Sequence, residues 1–206
     1  IYSHMACADQ PAHPMNAQQI ALFEQLSQQI MSALPYPVLR HLLNSEGAAH
    51  FPTAQYDMVR LGIGLFGVNH DPQFASQLRP VLSWRSSISQ IKTLDAGTCV
   101  GYGCTEVLQK KQNIAIIPVG YADGFFRCLS GAKGGVFING KFCPTVGRVC
   151  MDMIMVKVAD EVTLNDEVEI IGAYQSLADF AHAANTIPYE ILTSISPRVQ
   201  RTYVND

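Results

Sequence analysis

The hydrophobic pattern of this 206-residue chain changes near residue 77. Before that point, short apolar runs flank one long run with helical spacing, and the order strand, helix, strand, loop, strand is typical of an α/β barrel or a doubly wound sheet. After it, short apolar segments follow one another with turns between them. We therefore predict two domains, residues 1–77 and residues 78–206.

The first region is predicted to begin with a strand at "IYSHMA", followed by a helix. Asn16 is expected to cap the helix, with Gln19 at the capping-box position, and Pro35 to end it. "YPVLRHLLNS" predicts a second strand. A third is expected to end near Arg60, before the glycine-rich "RLGIG".

Polar residues stand where these strands are expected to end: His4, Asn44, Ser45 and Arg60. In open α/β sheets and in barrels, chemistry collects at the carboxyl ends of the strands. These residues are therefore candidate site residues. Each also has an ordinary structural interpretation, since Asn44 and Ser45 could cap a helix and His4 could be a hydrogen-bonded structural histidine.

The second region predicts a mostly antiparallel β domain, either a small barrel or a sandwich. Its strand candidates are "LSWRSSISQIKTLDAG", "QNIAIIPVGYADG", "GGVFINGKFCPTVG", "MIMVKVAD" and "DEVEIIG". Asn139-Gly140 within "VFINGKF" is a strong signal for a type I′ hairpin. "SLADFAHAANT" is the one segment here in which we predict a helix.

Composition narrows the possible functions. The chain is 48% hydrophobic and 15% charged, which indicates extensive burial. Its formal net charge is −3 and its basic residues are scattered, so we expect no nucleic-acid partner. The longest apolar runs are too short to span a bilayer, and no signal-like segment opens the chain, so we expect no membrane partner.

The six cysteines contain no C-x-x-C pair, which argues against a zinc site and a dense disulfide framework. We expect no bound metal. Free thiols are typical of the cytoplasm, so we predict six reduced cysteines and a cytoplasmic location.

Two tyrosines beside glycines stand out in the second region. Tyr102 lies between Gly101 and Gly103 in "GTCVGYGCT", and Tyr121 follows Gly120 in "VGYADG". Because glycine adds no side-chain bulk, such a hydroxyl can be presented to a group outside its own strand. The alternative is a core tyrosine with a satisfied hydroxyl.

Seven segments together resemble the carboxyl-terminal part of the alanine racemase family, pyridoxal-phosphate isomerases of fold type III. They are "SHMACAD", "HLLNSEG", "YDMVRLGIGLFG", "VGYGCT", "PVGYADGFFR", "PTVGRVCMDM" and "TIPYEILTSISPRVQR". The resemblance implies the last strands and helices of a TIM-type (β/α)8 barrel followed by the β domain. The third and the seventh segments further resemble the version fused behind a cell-wall peptide ligase domain.

By this resemblance, the protein is an amino-acid racemase that interconverts L- and D-alanine for peptidoglycan precursors, using pyridoxal 5′-phosphate. The active site lies at the interface of a homodimer. Tyr102 of one subunit is the acid/base on one face of the substrate Cα. A phenol ordinarily titrates at about 10 and is a poor base at neutral pH. His4 is the implied neighbour that donates to the phenolate across the interface.

The resemblance assigns the other site residues position by position. Arg60 faces the pyridine nitrogen and, since arginine stays protonated, can only donate to it. Met151, with Tyr102, meets the substrate. The phosphate cradle comprises Ser45, Gly62, Ile63 and Tyr189, with Asn44 beside it. The corridor that admits the zwitterionic substrate comprises Asp9, Tyr121, Arg127 and Arg148.

The sequence departs from the family pattern at Met5 and Glu106, where aromatic residues are common. It also lacks the family's Schiff-base lysine motif, because all its lysines lie in the second region: Lys92, Lys110, Lys111, Lys133, Lys141 and Lys157. We therefore expect a portion of a longer racemase that is inactive by itself. A serine racemase of the same family and a non-catalytic dimerising β domain stay open as alternatives.

Overall fold

The computed structural model describes residues 1–204, which divide by their contacts into two units. The first unit is Ile1–Val81 and the second begins at Leu82. The sequence pattern had predicted the change near residue 77.

The first unit contains one long helix, α1, at Pro14–Ala33. Its N-cap is His13, whose ring accepts a hydrogen bond from the Met15 amide, so the predicted cap at Asn16 is wrong. Asn16 lies inside the first turn, fully buried, where its side chain donates to the carbonyls of Cys7 and Gln10. Pro14 at the first helical position explains the earlier start, because its fixed φ suits that position and its missing N–H has no partner to lose there.

The three strands predicted in this unit are extended segments with too few hydrogen bonds to form a ladder. One parallel bridge joins Tyr2 to His41. Beside it, the amides of Asp57 and Arg60 donate to the carbonyls of Arg40 and Leu43. A parallel strand needs evenly spaced bonds along its length. The strand predictions were therefore wrong as assignments, although the segments do align side by side.

Short helical elements connect these segments. They are α2 at Ser45–His50, a 3₁₀ turn at Pro52–Ala54, a 3₁₀ turn at Ile63–Phe66 and α3 at Pro72–Ala75. Asn44 caps α2 by accepting from the Gly47 amide at 2.9 Å. The core of the unit packs Met5, Leu42 and Leu43 against Phe23 of α1. The residues next to these core positions, His4 and Asn44, are left more exposed.

The second unit is built from antiparallel strands. Their bounds are β1 Trp84–Ser86, β2 Gln90–Leu94, β3 Cys99–Val100, β4 Glu106–Val107, β5 Gln112–Ile117, β6 Gly135–Ile138, β7 Lys141–Pro144, β8 Ile154–Val158 and β9 Val168–Ile171. They form a four-stranded sheet in the order β1-β9-β6-β7, a three-stranded sheet β2-β5-β8 and the pair β3-β4. Each predicted strand segment contains at least one of these strands.

The turn between β6 and β7 confirms the hairpin prediction, since Asn139 and Gly140 both have positive φ, at 51° and 73°. The predicted helix is α4, Leu177–Ala183, with a capping box between Ser176 and Asp179. A second helix that sequence reasoning missed, α5, spans Pro188–Ser194. Its proline sits at the start of the helix, where proline is favoured, and this signal could have revealed it.

Candidate active site

Arg60 is held in the first unit by a set of hydrogen bonds that fixes its guanidinium group. Its two terminal nitrogens donate to the carbonyls of Ser3, His41 and Leu42 at 2.8 to 3.2 Å. These contacts link three extended segments of the unit. Arginine donates and never accepts, so carbonyl oxygens are suitable partners. The side chain is therefore a permanent and well-oriented positive charge.

His4 lies against this guanidinium group. Its Nδ1 is 3.2 Å from a terminal nitrogen of Arg60. Because the arginine must donate, Nδ1 accepts, and the proton of the neutral ring is on Nε2. Nε2 is 3.4 Å from the side-chain nitrogen of Asn44, a long contact between two donors in this tautomer. Nε2 of His4 is thus the ring nitrogen that can donate.

His41 shares Arg60 with His4. Its Nδ1 lies 2.7 Å from the other terminal nitrogen of Arg60, and its ring stacks on Tyr2. Burial lowers the pKa of His41 below its usual value, and the charge of Arg60 lowers it further. A neutral His41 follows, so Arg60 keeps the local positive charge. Sequence reasoning missed this residue, although it belongs to the quoted segment "HLLNSEG".

Ser45, the first residue of α2, joins this helix to the glycine-rich loop. Its hydroxyl oxygen accepts from the amides of Gly62 at 2.8 Å and Gly64 at 3.2 Å. A β carbon on Gly64 would lie 3.4 Å from Ser45, so glycine permits the close approach. Ile63 is buried between the two glycines. Because both amides use the hydroxyl oxygen of Ser45, its proton is left to be donated to an acceptor such as an anion.

Tyr102 is the first residue of a 3₁₀ turn in the second unit, and it is 71% exposed. Gly101 and Gly103 have positive φ of 76° and 72°, a conformation that other residues rarely adopt. A β carbon on Gly101 would lie 3.3 Å from the Arg148 amide nitrogen. One on Gly103 would lie 3.4 Å from the guanidinium of Arg148. The glycines thus let the loop pack against Arg148 while the phenol points away from the core.

Tyr121 and Met151 lie on two adjacent backbone segments. The amides of Tyr121 and Ala122 donate to the carbonyls of Cys150 and Met151, both at 3.0 Å. A β carbon on Gly120 would lie 2.3 Å from the Met151 carbonyl oxygen, so this approach requires glycine. A residue predicted to meet the substrate, Met151, and a residue predicted to line the corridor, Tyr121, are therefore held side by side.

The sequence analysis missed an ion-pair network beside the two backbone segments that contain Tyr121 and Met151. Arg198 donates to both carboxylate oxygens of the buried Asp123 and to Asp152. Asp123 also accepts from the Gly120 amide at 2.8 Å. Burial alone would raise the pKa of Asp123, but the hydrogen bonds from Arg198 and Gly120 outweigh it and hold the pKa below its ordinary value. The pKa of Arg198 is raised by Asp123 and then by Asp152.

The other predicted site residues are more dispersed. Asp9 is exposed in a turn of the first unit, and Arg127 is exposed at the start of a 3₁₀ turn in the second. Tyr189 lies in the first turn of α5. The structure thus groups His4, Asn44, Ser45, Arg60, Gly62 and Ile63 in the first unit. Separately, it groups Tyr102 with Arg148, and Tyr121 with Met151, in the second.

Neither a metal centre nor a membrane segment emerges from residues 1–204. Within that range, no three side chains of His, Cys, Asp or Glu are arranged to hold a metal ion. None of the helices described there is both long enough and apolar enough to cross a bilayer.

These observations define a class of protein: part of an α/β barrel followed by an antiparallel β domain, with a fixed arginine, a serine held against a glycine-rich loop and an exposed tyrosine between two glycines. Family models specify the class further. Residues 1–70 match the model "Alanine racemase, N-terminal domain", and residues 81–203 match "Alanine racemase, C-terminal domain". The chain belongs to the alanine racemase family.

Individual relatives agree with this assignment. The chain is 40% identical to the alanine racemase of Symbiobacterium thermophilum over 98% of its own length and 56% of the relative's. It superposes on the crystal structure of the alanine racemase of D-cycloserine-producing Streptomyces lavendulae with a TM-score of 0.92 at 35% identity, covering 100% of this chain and 56% of that one.

A third comparison concerns a protein with a bound cofactor. The chain superposes with a TM-score of 0.88 and 36% identity on the alanine racemase of Bartonella henselae with covalently bound pyridoxal phosphate. The alignment covers 99% of this chain and 56% of that one. The chain thus spans a little over half the length of the relatives it matches.

Proposed function

We propose that this chain is part of a pyridoxal-phosphate-dependent alanine racemase that interconverts L- and D-alanine. The observation that carries the proposal is the arrangement in the first unit, where Arg60 fixes His4 as an Nε2–H donor and Ser45 gathers glycine amides. Family membership and the names of the relatives supply the substrate.

The residues present fit pyridoxal phosphate. The Ser45 hydroxyl would donate its proton to a phosphate, because its oxygen already accepts from the Gly62 amide. The resemblance adds the amides of Gly62 and Ile63 to the phosphate site. Tyr189 of the second unit is assigned to the same cradle by resemblance. When bound, the cofactor supplies an electron sink that makes the Cα proton of an attached amino acid acidic.

Arg60 sets how strong this sink is. Its guanidinium donates and never accepts, so a pyridine nitrogen held against it would accept a hydrogen bond and stay unprotonated. An unprotonated pyridine ring withdraws electron density less strongly than a ring that a neighbouring carboxylate keeps protonated. Arg60 thereby favours brief proton removal and return at Cα over side reactions such as transamination.

Tyr102 removes or returns the proton on one face of Cα, and His4 supports it. A phenol needs a neighbouring donor to act as a base at neutral pH. The Nε2–H of His4 is such a donor, because Arg60 occupies Nδ1. We propose that the two residues meet across a homodimer, with Tyr102 of one subunit reaching the first unit of the other.

The remaining residues bind and admit the substrate. The backbone amide of Met151 meets the substrate carboxylate. The Met151 carbonyl accepts from the Ala122 amide, which keeps Met151 next to Tyr121. With Asp9, Arg127 and Arg148, Tyr121 forms the corridor for a small zwitterion. Charged groups of both signs suit a substrate that carries both charges.

The relatives favour this function over the alternatives. All three relatives compared are named as alanine racemases, which favours alanine over serine and an enzyme over a non-catalytic dimerising domain. We further propose that the D-alanine serves peptidoglycan precursors and that the protein works in the cytoplasm. The likeness to ligase-fused racemases stays a prediction.

The experiment is a racemisation assay with the full gene product. L-alanine should be converted to D-alanine only when pyridoxal phosphate is present, and L-serine should be a much poorer substrate. Equal or faster turnover of serine would contradict the proposal that alanine is the preferred substrate. Absence of racemisation by a folded protein that retains the cofactor would contradict the proposal.

A separate experiment tests the lysine argument on the 206-residue chain alone. Its six lysines all lie in the second unit. We expect the chain to bind pyridoxal phosphate weakly and without a covalent bond. A cofactor that resists dialysis and maps to one of these lysines after borohydride reduction would contradict this expectation.

A mixing experiment tests the shared site. One subunit carries Tyr102→Phe and the other carries Arg60→Gln, both within the full gene product. In a heterodimer, the intact first unit of one subunit meets the intact tyrosine of the other, so one site in two should work. If confirmed heterodimers recover no activity, Tyr102 acts within its own subunit or is not an acid/base.

A further inference from the structure

Glu46 is a buried carboxylate that the function proposed above does not use. Its side chain is 7% exposed, yet it carries a charge whose removal from water is unfavourable unless hydrogen bonds compensate. It follows Ser45 directly at the start of α2. A buried charge next to a residue of the proposed phosphate cradle calls for an explanation.

The partners of Glu46 lie at the far end of the glycine-rich loop. Its Oε1 accepts from the backbone amide of His70 at 3.1 Å and lies 2.9 Å from Nδ1 of the His70 ring. An ionised carboxylate only accepts, so that ring nitrogen carries a proton. Two donors of one residue therefore converge on a single carboxylate oxygen.

The second oxygen of Glu46 faces the other end of α2. Oε2 is buried and has no hydrogen-bond partner among the residues the structure describes. Its nearest cationic candidate is Nε2 of His50, at 4.0 Å. The ring of His50 packs edge-on against Phe74, so it is not free to approach further. Glu46 is thus held in place chiefly through His70.

Adjacent residues of one helix therefore hold both ends of the same loop. Ser45 accepts from Gly62 and Gly64 at the beginning of the loop, and Glu46 accepts from His70 at its end. Between these points the chain passes through a 3₁₀ turn and Gly67, whose φ is 78°. Releasing the end of the loop at His70 would let the glycine amides move relative to Ser45.

We propose that Glu46 is a positioning residue for the phosphate cradle: by holding His70 it fixes the glycine-rich loop against α2. It acts through His70 and does not touch the cofactor. The inference rests on the proposed function, because it presumes that the cradle binds the phosphate of pyridoxal phosphate. Its specific consequence is that loss of Glu46 weakens binding of the phosphate and not of the pyridine ring.

The test compares two ligands in the full gene product: pyridoxal phosphate and pyridoxal, which lacks the phosphate. Glu46→Ala should raise the Kd for pyridoxal phosphate about tenfold or more, the low end of what one charge-assisted hydrogen bond contributes. The Kd for pyridoxal should change less than about twofold, because the lost contact acts through the phosphate cradle. Both constants are measured by equilibrium dialysis.

Glu46→Gln and Glu169→Ala are the matched variants. A glutamine oxygen can still accept from His70, so Glu46→Gln should bind pyridoxal phosphate within about threefold of wild type. Glu169 is a buried carboxylate of the second unit that accepts from the Tyr174 amide. Glu169→Ala therefore reports the general effect of losing a buried carboxylate, and it should leave the ratio of the two Kd values unchanged.

Three results would overturn the proposal. The first is an unchanged Kd for pyridoxal phosphate in Glu46→Ala, and the second is an equal rise in the Kd values of both ligands in that variant. The third is tighter binding of pyridoxal phosphate by Glu46→Gln, which would mean that the carboxylate repels the phosphate. If Glu46→Ala does not fold, His70→Ala is used instead, with an expected phosphate-specific rise of about threefold. A wild-type protein that binds neither ligand would overturn the proposed function itself.

Discussion

Gly131 and Gly147 have the same backbone φ of 65°, and the amide of Gly131 donates to the carbonyl of Gly147 at 2.9 Å. They differ in their surroundings. A β carbon on Gly147 would lie 2.5 Å from the carbonyl oxygen of Val100, whereas one on Gly131 would meet nothing within 4 Å. Val100 is the last residue of β3, and the loop that carries Tyr102 follows it directly. This contact therefore sets how closely that loop approaches the turn at Gly147.

Gly147→Ala should therefore reduce both stability and turnover more than Gly131→Ala does. Both substitutions place alanine at positive φ, which costs roughly 1–2 kcal/mol. Gly147→Ala additionally displaces Val100 and the loop, so kcat should fall about 10-fold or more through misplacement of the tyrosine. Urea unfolding and racemisation rates measure the two effects. Equal losses in the two variants would show that the contact with Val100 does not position the loop.

Tyr102→Phe should affect the two directions of proton exchange unequally. The ring stays, so packing should change little, but the acid/base on one face is lost, and overall racemisation should fall roughly 10²–10⁴-fold. Exchange from the opposite face depends on a different base and should survive. By resemblance, Tyr102 removes the proton from the L-amino acid. In heavy water, deuterium should therefore enter D-alanine while its entry into L-alanine nearly stops. NMR of the recovered alanine measures both.

Tyr36→Phe is the control for this substitution. Tyr36 is exposed in the segment after α1, away from the proposed chemistry. Removing this hydroxyl should leave the rates of deuterium entry into D-alanine and into L-alanine unchanged. Symmetric slowing in Tyr102→Phe would contradict a role on one face.

Asp123→Asn should lower the free energy of unfolding by about 1–3 kcal/mol at neutral pH, since it weakens the charge-assisted bonds from Arg198. The pKa of Asp123 in the folded protein lies below its ordinary value of 3.8. Its stabilisation is therefore present in full above pH 3.8, declines below it, and is gone once the pH is below the lowered pKa. Urea unfolding at a series of pH values should show the variant and the wild type converging in acid.

Asp95→Asn provides the comparison for Asp123. Asp95 is exposed, and it should show neither the loss at neutral pH nor the convergence. A difference between Asp123→Asn and wild type that stays constant down to the acid limit would mean that the ion pair does not carry the effect.

All six cysteines are free in the structure, and their reactivities should differ. Burial raises the pKa of the Cys143 thiol, whereas Cys128 is exposed. The thiolate is the reactive form, so iodoacetamide should modify Cys128 roughly tenfold faster than Cys143 or more in the folded protein. Peptide mass spectrometry measures the order. Thiol counting after unfolding without reductant should return six, and a lower count would reveal a disulfide.

The sequence by itself determined most of the second unit. Short strands with turn residues between them are local signals, and Asn139-Gly140 formed the expected hairpin because only such residues readily adopt two successive positive φ values. The seven family segments were also readable directly, and the family comparisons confirmed them. Tyr102 is exposed, and the glycines on either side of it adopt positive φ values that other residues rarely adopt.

Only the tertiary structure decided which groups support the site. Asn16 had the look of a cap, but it is buried because the carbonyls of Cys7 and Gln10 converge on it from another segment. The extended segments of the first unit were predicted as strands, but they share too few hydrogen bonds to form a ladder, which no local pattern reports. Arg60 with His41, Asp123 with Arg198, and Glu46 with His70 are pairs separated by 19 to 75 residues. These contacts form only when folding brings distant parts of the chain together, which no local sequence pattern reports.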